Sequence, residues 1–320
     1  MTSQKEDEEI PVEVSIEFYS NRVCTISYFK KPSKHHFHLS VNVINTIFNI
    51  TSMRIFISVD MEGMPGIFSN DQTDPKGDRY YEGRQIMTDI SLIVSEELHR
   101  RGAEEILIAD SHDGMGNIYY EKLPEYISLM RGSRRPINMV FGINRGFDAA
   151  VFLGYHAAAG SLHASFDHTY SGTKFSEIII NGRKTSEFYI NTLIAGKYGV
   201  PVIMVGGDDV LESDVKELAP WVQYVRFKEA VTRHSSITPS FERIRADILN
   251  KIPIAMEQIK PKNVIKLSSL KVKYKLKNTS DADIAEWIPG LERTDAYTLD
   301  YDCKDPELAY KMMQVISNIS

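Results

Sequence analysis

Arg54-Ile-Phe-Ile-Ser-Val-Asp60 is a short apolar run that ends on an acid. It reads as a buried strand that delivers Asp60 at its C-terminal end. Immediately downstream, residues 82–101 carry Ile86, Ile90, Ile93, Val94 and Leu98 at helical spacing, and Gly102 closes the segment. Ile106-Leu-Ile-Ala-Asp110 then repeats the strand theme and runs into Ser111-His112. A strand, a helix of about five turns and a second strand make a βαβ unit, whose natural site lies at the strand C-termini. A third run, Ala149-Ala-Val-Phe-Leu-Gly-Tyr155, leads directly into His156. Three successive apolar runs therefore end in potential ligands.

Further along, Glu177-Ile-Ile-Ile-Asn-Gly182 reads as a strand and tight turn, and residues 186–198 as a helix with Glu187 near its start. Val200-Pro-Val-Ile-Met-Val-Gly-Gly-Asp-Asp209 is another buried strand with a Gly-rich exit. From about Phe241 a helix runs to Met256, followed by a more polar strand-and-helix segment ending near Ile316. The order of elements predicts an α/β fold: a mixed, largely parallel sheet flanked by helices, with a smaller C-terminal α+β part. The expected divisions are a catalytic α/β domain over 53–240 and the α+β part over 241–320. Residues 1–52 carry a Lys30-Lys31-Pro32-Ser33-Lys34 break and histidines at 35, 36 and 38. They are read as an N-terminal extension without catalytic residues, since a start at Met53 would give a complete domain.

Composition narrows the function. The 320 residues are 42% hydrophobic, enough for a large core, and a net charge of −6 gives no basic footprint for nucleic acid and no polybasic membrane patch. No apolar stretch approaches the roughly 20 residues of a membrane helix, and the acidic N-terminus lacks an export signal. The expected setting is cytoplasmic. Cys24 and Cys303 are the only cysteines, which implies neither a disulfide framework nor a thiolate zinc site.

The chemistry rests on a handful of carboxylates and imidazoles. In Asp60-Met61-Glu62, alternation along an extended segment would put both carboxylates on one face, about 6–7 Å apart. Taken alone, Asp-x-Glu at a strand end is more often a solvated turn. His112 stands where the chain must turn after a strand, with Asp110 and Asp113 as nearby acceptors that could fix its tautomer. His156 is flanked by small residues in Leu153-Gly-Tyr-His-Ala157. Together the two acids and two imidazoles can converge on one crevice, and a mixed set without thiolate suits zinc, with manganese or cobalt as alternative occupants. A set of more than four ligands would hold two ions sharing a carboxylate. His163 and His168 lie in the small-residue stretch 160–172, which reads as an active-site loop, and either could move a proton or act as a nucleophile.

Ser58-Val-Asp-Met-Glu-Gly63, Asp110-Ser-His112, Phe152-Leu-Gly-Tyr-His-Ala157, Asp167-His-Thr169, the stretch from Gly182 to Glu187 and the run 200–209 resemble, in order, the D-aminopeptidase family of two-zinc peptidases. The resemblance runs from Met53 to the C-terminus. It implies that Asp60 bridges two zinc ions, that Glu62 and His112 complete one site, and that His156 and Glu187 complete the other. It further implies that His168 rather than His163 is catalytic, and that the chain assembles as a ring-like homodecamer admitting short peptides. The reaction implied is hydrolysis of the N-terminal peptide bond of short peptides, D-amino-acid peptides or amides among them. Ser186 replaces a common family glycine, and the loop between His156 and His168 differs slightly in length. Two other readings of the same residues are a two-metal amidase or phosphatase on a non-peptide substrate, and a metal-stabilised binding protein without catalysis.

Overall fold

The computed structural model describes Val14–Phe18, Cys24–Tyr28 and residues 52–319. The chain forms two compact units, Met1–Thr51 and Ser52–Ser320. In the first, β1 (Val14–Phe18) and β2 (Cys24–Tyr28) pair antiparallel. The lysine-rich break and the histidines at 35, 36 and 38 lie outside the described residues.

The second unit is built on a seven-stranded sheet. Its strands are β3 (Met53–Val59), β4 (Ala103–Asp110), β5 (Ile127–Met130), β6 (Ala149–Tyr155), β9 (Val202–Asp208), β10 (Gln223–Thr232) and β11 (Ser235–Ile237). They lie in the order β11-β10-β9-β6-β3-β4-β5. All pairs are parallel except β10 with β11. The chain builds outward from β3 to β4 and β5, then returns to lay β6 on the other side of β3. The C-terminal ends of β3 and β6 are therefore the topological switch point, where open parallel sheets leave a crevice. β6 and β9 are buried throughout, as their uninterrupted apolar runs require.

Helices α2 (Tyr80–Arg100) and α5 (Phe241–Met256) cover one face of this sheet, packing Met87, Ile90, Val94, Leu98, Ile244, Ile248 and Ile252 against Ile55, Ile57, Val151 and Leu153. The other face packs on α3 (Glu187–Lys197), α7 (Pro306–Ser317) and a five-stranded antiparallel sheet. That sheet has the order β13-β14-β12-β7-β8, from β7 (Phe175–Ile180), β8 (Arg183–Lys184), β12 (Leu270–Leu276), β13 (Glu292–Arg293) and β14 (Thr298–Cys303). It thus draws strands from both sides of residue 240, while α5 belongs to the large sheet. Sandwiched between layers, α3 is buried from Glu187 to Gly196, which explains why it shows no polar face. Asn181 and Gly182, at φ 50° and 81°, supply the left-handed pair that a two-residue hairpin between β7 and β8 needs. The smaller helices are α1 (Asn70–Thr73), α4 (Asp209–Leu218) and α6 (Thr279–Ala285). No helix among the described residues is long and apolar enough to cross a membrane.

Where β3 and β6 end, the two backbones nearly touch. Gly63 donates to the carbonyl of Gly154 at 2.7 Å, and a Cβ on Gly154, which sits at φ +73°, would fall 2.0 Å from the carbonyl oxygen of Asp60. Gly154→Ala therefore combines backbone strain with overpacking and is expected to destabilise the metal-free protein by about 2–5 kcal/mol. Urea denaturation checks this; an unchanged midpoint would show that the two strand ends can part without cost.

Candidate metal centre

The five expected ligands leave the scaffold at the ends of three strands and the start of one helix, and they converge on one space. Asp60 directly follows β3, and its amide donates to the carbonyl of Leu153 at 2.8 Å, stitching it to β6. Glu62 lies beyond the strand, in a turn closed by the Met64 amide on the Met61 carbonyl at 3.0 Å. The two acids thus converge through a turn, not through the extended alternation expected from the sequence. His112 follows β4, His156 follows β6, and Glu187 opens α3, where Ser186 caps the helix by accepting from the Tyr189 amide. All five are buried.

Asp60 faces two groups of donors. Its Oδ1 lies 3.4 Å from Nδ1 of His112, which is itself 2.8 Å from Oε2 of Glu62 without hydrogen-bond alignment. Its Oδ2 lies 3.7 Å from Nε2 of His156, which is 3.9 Å from Oε2 of Glu187. Ligand atoms on a tetrahedron with metal bonds of about 2.0–2.1 Å stand about 3.3 Å apart, so these spacings are close to those a pair of zinc ions would require. Glu62 Oε2, His156 Nε2 and Glu187 Oε2 are buried with no hydrogen-bond partner. Buried polar atoms are rarely left so, and the set of orphaned lone pairs fits metal ligation.

The ring tautomers agree with this. His112 Nε2 reaches the carbonyl of Thr73 at 2.8 Å, leaving Nδ1 toward the carboxylates. His156 Nδ1 reaches the carbonyl of Ala157 at 3.0 Å, leaving Nε2 inward. His168 Nδ1 reaches the carbonyl of Phe166 at 2.7 Å, and its Nε2 stands 4.0 Å from Glu62 Oε1 and 3.9 Å from Glu187 Oε1. A ring nitrogen that donates to a carbonyl offers a lone pair from the other nitrogen. His156, His168 and Glu187 form one triad whose donor atoms lie within 4.8 Å of one another, and Asp60, Glu62 and His156 form another. His163 is exposed, at φ 52°, and does not line the cavity.

Crowding shifts the protons. Burial, then the charge of Glu62, pushes Asp60 up to about 7. Burial, then Asp60, pushes Glu187 up to about 8. Burial works against charge on Glu62 and on His112 alike, but each stabilises the other, holding the carboxyl well below and the imidazole well above its ordinary range. Burial, then His168, depresses His156 to about 3, so this ring is neutral and ligand-ready at physiological pH.

The centre opens into a cavity of about 680 Å³, within the range of small-ligand sites. Its walls come from Asn70 and residues 73–76, from Ser111, Asp113 and Met115, and from Asn138, Met139 and residues 170–172.

Several supporting residues carry no signal in the sequence. Thr73 orients His112 through its backbone, whereas Asp110, an expected partner, is occupied by Asn117 and the Ile118 amide. Tyr170 donates its amide to Glu187 Oε1 at 2.7 Å. Lys228, fully buried in β10, donates to the carbonyls of Glu62 and Ile67 at 2.5 and 2.7 Å and sits 5.1 Å from the Phe166 ring centre. In sequence it looks like Lys273, an exposed strand lysine. Arg233 binds the carbonyl and carboxylate of Asp167, and its own carbonyl accepts the Phe166 amide, which anchors the loop before His168.

The comparisons with known proteins point the same way. The peptidase M55 family, described as D-aminopeptidase, is matched over residues 53–315. A D-aminopeptidase of Bacillus subtilis (strain 168) is 31% identical over 272 residues, covering 84% of this chain and 98% of the relative. The solved structure of the Zn-dependent D-aminopeptidase DppA from Bacillus subtilis, described as a self-compartmentalizing protease, superposes with a TM-score of 0.78 at 30% identity, covering 83% of this chain and 97% of that one.

The proton positions set an expectation for stability. Between pH 6.5 and about 8, folded Asp60 and Glu187 give up protons that the unfolded chain has already lost, His112 is held protonated where the unfolded imidazole lets go, and folded His156 is neutral throughout. The metal-free protein should therefore lose stability as pH rises through this window. Bound zinc would replace those protons, so the loaded protein should not, and zinc uptake should release protons there. Parallel melting curves test this; a metal-free melting temperature that is flat or rises from pH 6.5 to 8 would refute the charge assignment.

Proposed function

The chain belongs to the M55 D-aminopeptidase family and is a metal-dependent aminopeptidase; from that premise we propose that it removes the N-terminal residue of short peptides at a centre of two zinc ions. Asp60 would be shared between the ions, with Glu62 and His112 completing one site and His156 and Glu187 the other. The observation that carries this reading is the division of Asp60, whose two oxygens face separate donor groups that end in orphaned lone pairs. When bound, the ions supply Lewis-acid polarisation of the scissile carbonyl and acidify the attacking water.

The protein's own side chains do the rest. The Phe166 carbonyl holds the proton on Nδ1 of His168, so Nε2 is free to take the proton shed by the attacking water. His168 is 18% exposed at the cavity wall, against 0% for the side chain of His156, and can therefore meet substrate. Delivery of that proton from Nε2 to the departing nitrogen balances the reaction: the carbonyl carbon gains hydroxyl, the C–N bond breaks and the amine leaves neutral. Glu62 and Glu187 flank Nε2 and stabilise the imidazolium between these steps. The cavity volume suits a substrate of a few residues.

We further propose a cytoplasmic, ring-like homodecamer enclosing its active sites, supported by the family relationship and by the self-compartmentalizing relative. Light scattering of the purified protein checks the subunit number, and a stable monomer would exclude enclosure.

Amine release from matched D- and L-aminoacyl amides and short peptides tests the activity. His168→Ala should lower kcat by about 10²–10⁴-fold while retaining both zinc ions. His156→Ala should lose zinc and turnover together. Turnover preserved in His168→Ala would remove its catalytic role, and zinc lost from His168→Ala would make it a ligand instead.

A further inference from the structure

The lining of the cavity is strongly one-sided in charge. Asp60, Glu62, Asp74, Asp113 and Glu187 all contribute carboxylates, and Lys76 is the only lysine or arginine among the described lining residues. Its ammonium makes no ion pair or side-chain hydrogen bond among the described residues, in contrast to Lys174, Lys197 and Lys273, which all pair with acids.

Its backbone, however, is held firmly. The Lys76 amide donates to Asp74 Oδ1 at 2.8 Å, the Gly77 amide to the Asp74 carbonyl at 2.8 Å, and the Asp74 amide to the Asn70 carbonyl at 2.7 Å. Gly77 packs so closely that a Cβ there would lie 2.2 Å from the carbonyl oxygen of Asp71. Pro75 fixes a further dihedral. The loop is thus a rigid mount for one unpaired cation on the cavity wall.

The same segment touches the metal centre, since the Thr73 carbonyl binds His112 Nε2 at 2.8 Å. Three residues on, the Cα of Lys76 can stand no more than about 11 Å from that of Thr73. A dipeptide or tripeptide carries its terminal carboxylate one or two residues past the scissile carbonyl, at most about 4–7 Å of extended chain. A short peptide is a zwitterion, and its carboxylate would meet Asp74 and Asp113 unless a cation received it.

We infer that Lys76 receives the C-terminal carboxylate of the substrate, which makes the substrate class di- and tripeptides with a free C-terminus, preferred over their amides. This rests on the aminopeptidase reading and adds a specificity-determining residue to it. A charged hydrogen bond of this kind is worth about a tenfold difference in affinity or more.

The test compares kcat/KM for a dipeptide and its C-terminal amide, of whichever stereochemistry turns over best, with the zinc-loaded full chain. The wild type should favour the free acid about tenfold, chiefly through KM. Lys76→Met should bring the acid-to-amide ratio near one, Lys76→Arg should keep the preference, and Lys76→Glu should invert it. Turnover with the same ratio in wild type and Lys76→Met would overturn the inference while leaving the aminopeptidase standing. Failure of the wild type to cleave acid and amide alike would overturn both.

Discussion

Asp60, Glu62 and Glu187 bring three largely buried carboxylates together on the wall of one cavity, and the surrounding architecture answers that crowding. Burying an ionised carboxylate without compensation costs several kcal/mol. Backbone amides meet part of that demand, from Met61 to Asp60 and from Tyr170 to Glu187. The N-terminus of α3 adds its dipole at Glu187. Lys228 contributes from beneath, with its ammonium on the carbonyl of Glu62. These contacts leave Glu62 Oε2 and Glu187 Oε2 without a hydrogen bond, the first 2.8 Å from the His112 ring and the second 3.9 Å from the neutral His156 ring. Protons fill the deficit only by lifting Asp60 and Glu187 toward neutrality. Divalent cations would fill it directly, which is why the same arrangement that strains the metal-free protein favours metal.

Topology places the crowd where it is. Since β4 and β6 flank β3 on opposite sides, the chain leaves the sheet in diverging directions at the end of β3 and opens a crevice there. Asp60, His112 and His156 are the first or second residues past those three strands, so a strand-end reading located them without any knowledge of tertiary contacts. The fold was legible for the same reason. Strands buried on both faces admit few polar residues, and the runs at 54–60, 106–110 and 149–155 therefore stand out in the sequence. The assignment of β7 and β8 to a sheet completed by β12–β14 was not legible: β12 alternates cleanly as Leu270-Lys-Val-Lys-Tyr-Lys-Leu276, but alternation marks a strand without naming a partner about ninety residues away.

The site divides along the same line. Candidate ligands whose side chains stand at a strand end could be read from type and position. Glu187 could not, because an acid at a helix start is explained equally well by the dipole, and only the family resemblance singled it out. The choice of His168 over His163 was likewise beyond local chemistry. The structure separates them by burial and by the clasp of Arg233 and Phe166 on the residues preceding His168. Thr73 acts through a carbonyl that every residue type possesses, so its role leaves no mark in the sequence. Lys228 defeats pattern reading differently: β10 carries it inward beside Phe227, where the carbonyls of Glu62 and Ile67, 166 and 161 residues earlier, satisfy it.

This dispersion couples metal to folding. The donors span residues 60–187, and the groups that orient them extend to Arg233 on the far side of β9 and β10. No local segment contains enough of them to form a centre, so an unfolded chain offers zinc isolated ligands and the folded chain offers a converged set. Binding free energy at such a site is available only to the native state and adds to its stability. The metal-free protein must instead hold its carboxylates together against their repulsion with protons that rising pH removes. The interior of this enzyme is thus organised around a charge deficit, and its stability and its chemistry draw on the same cluster of carboxylates and imidazoles.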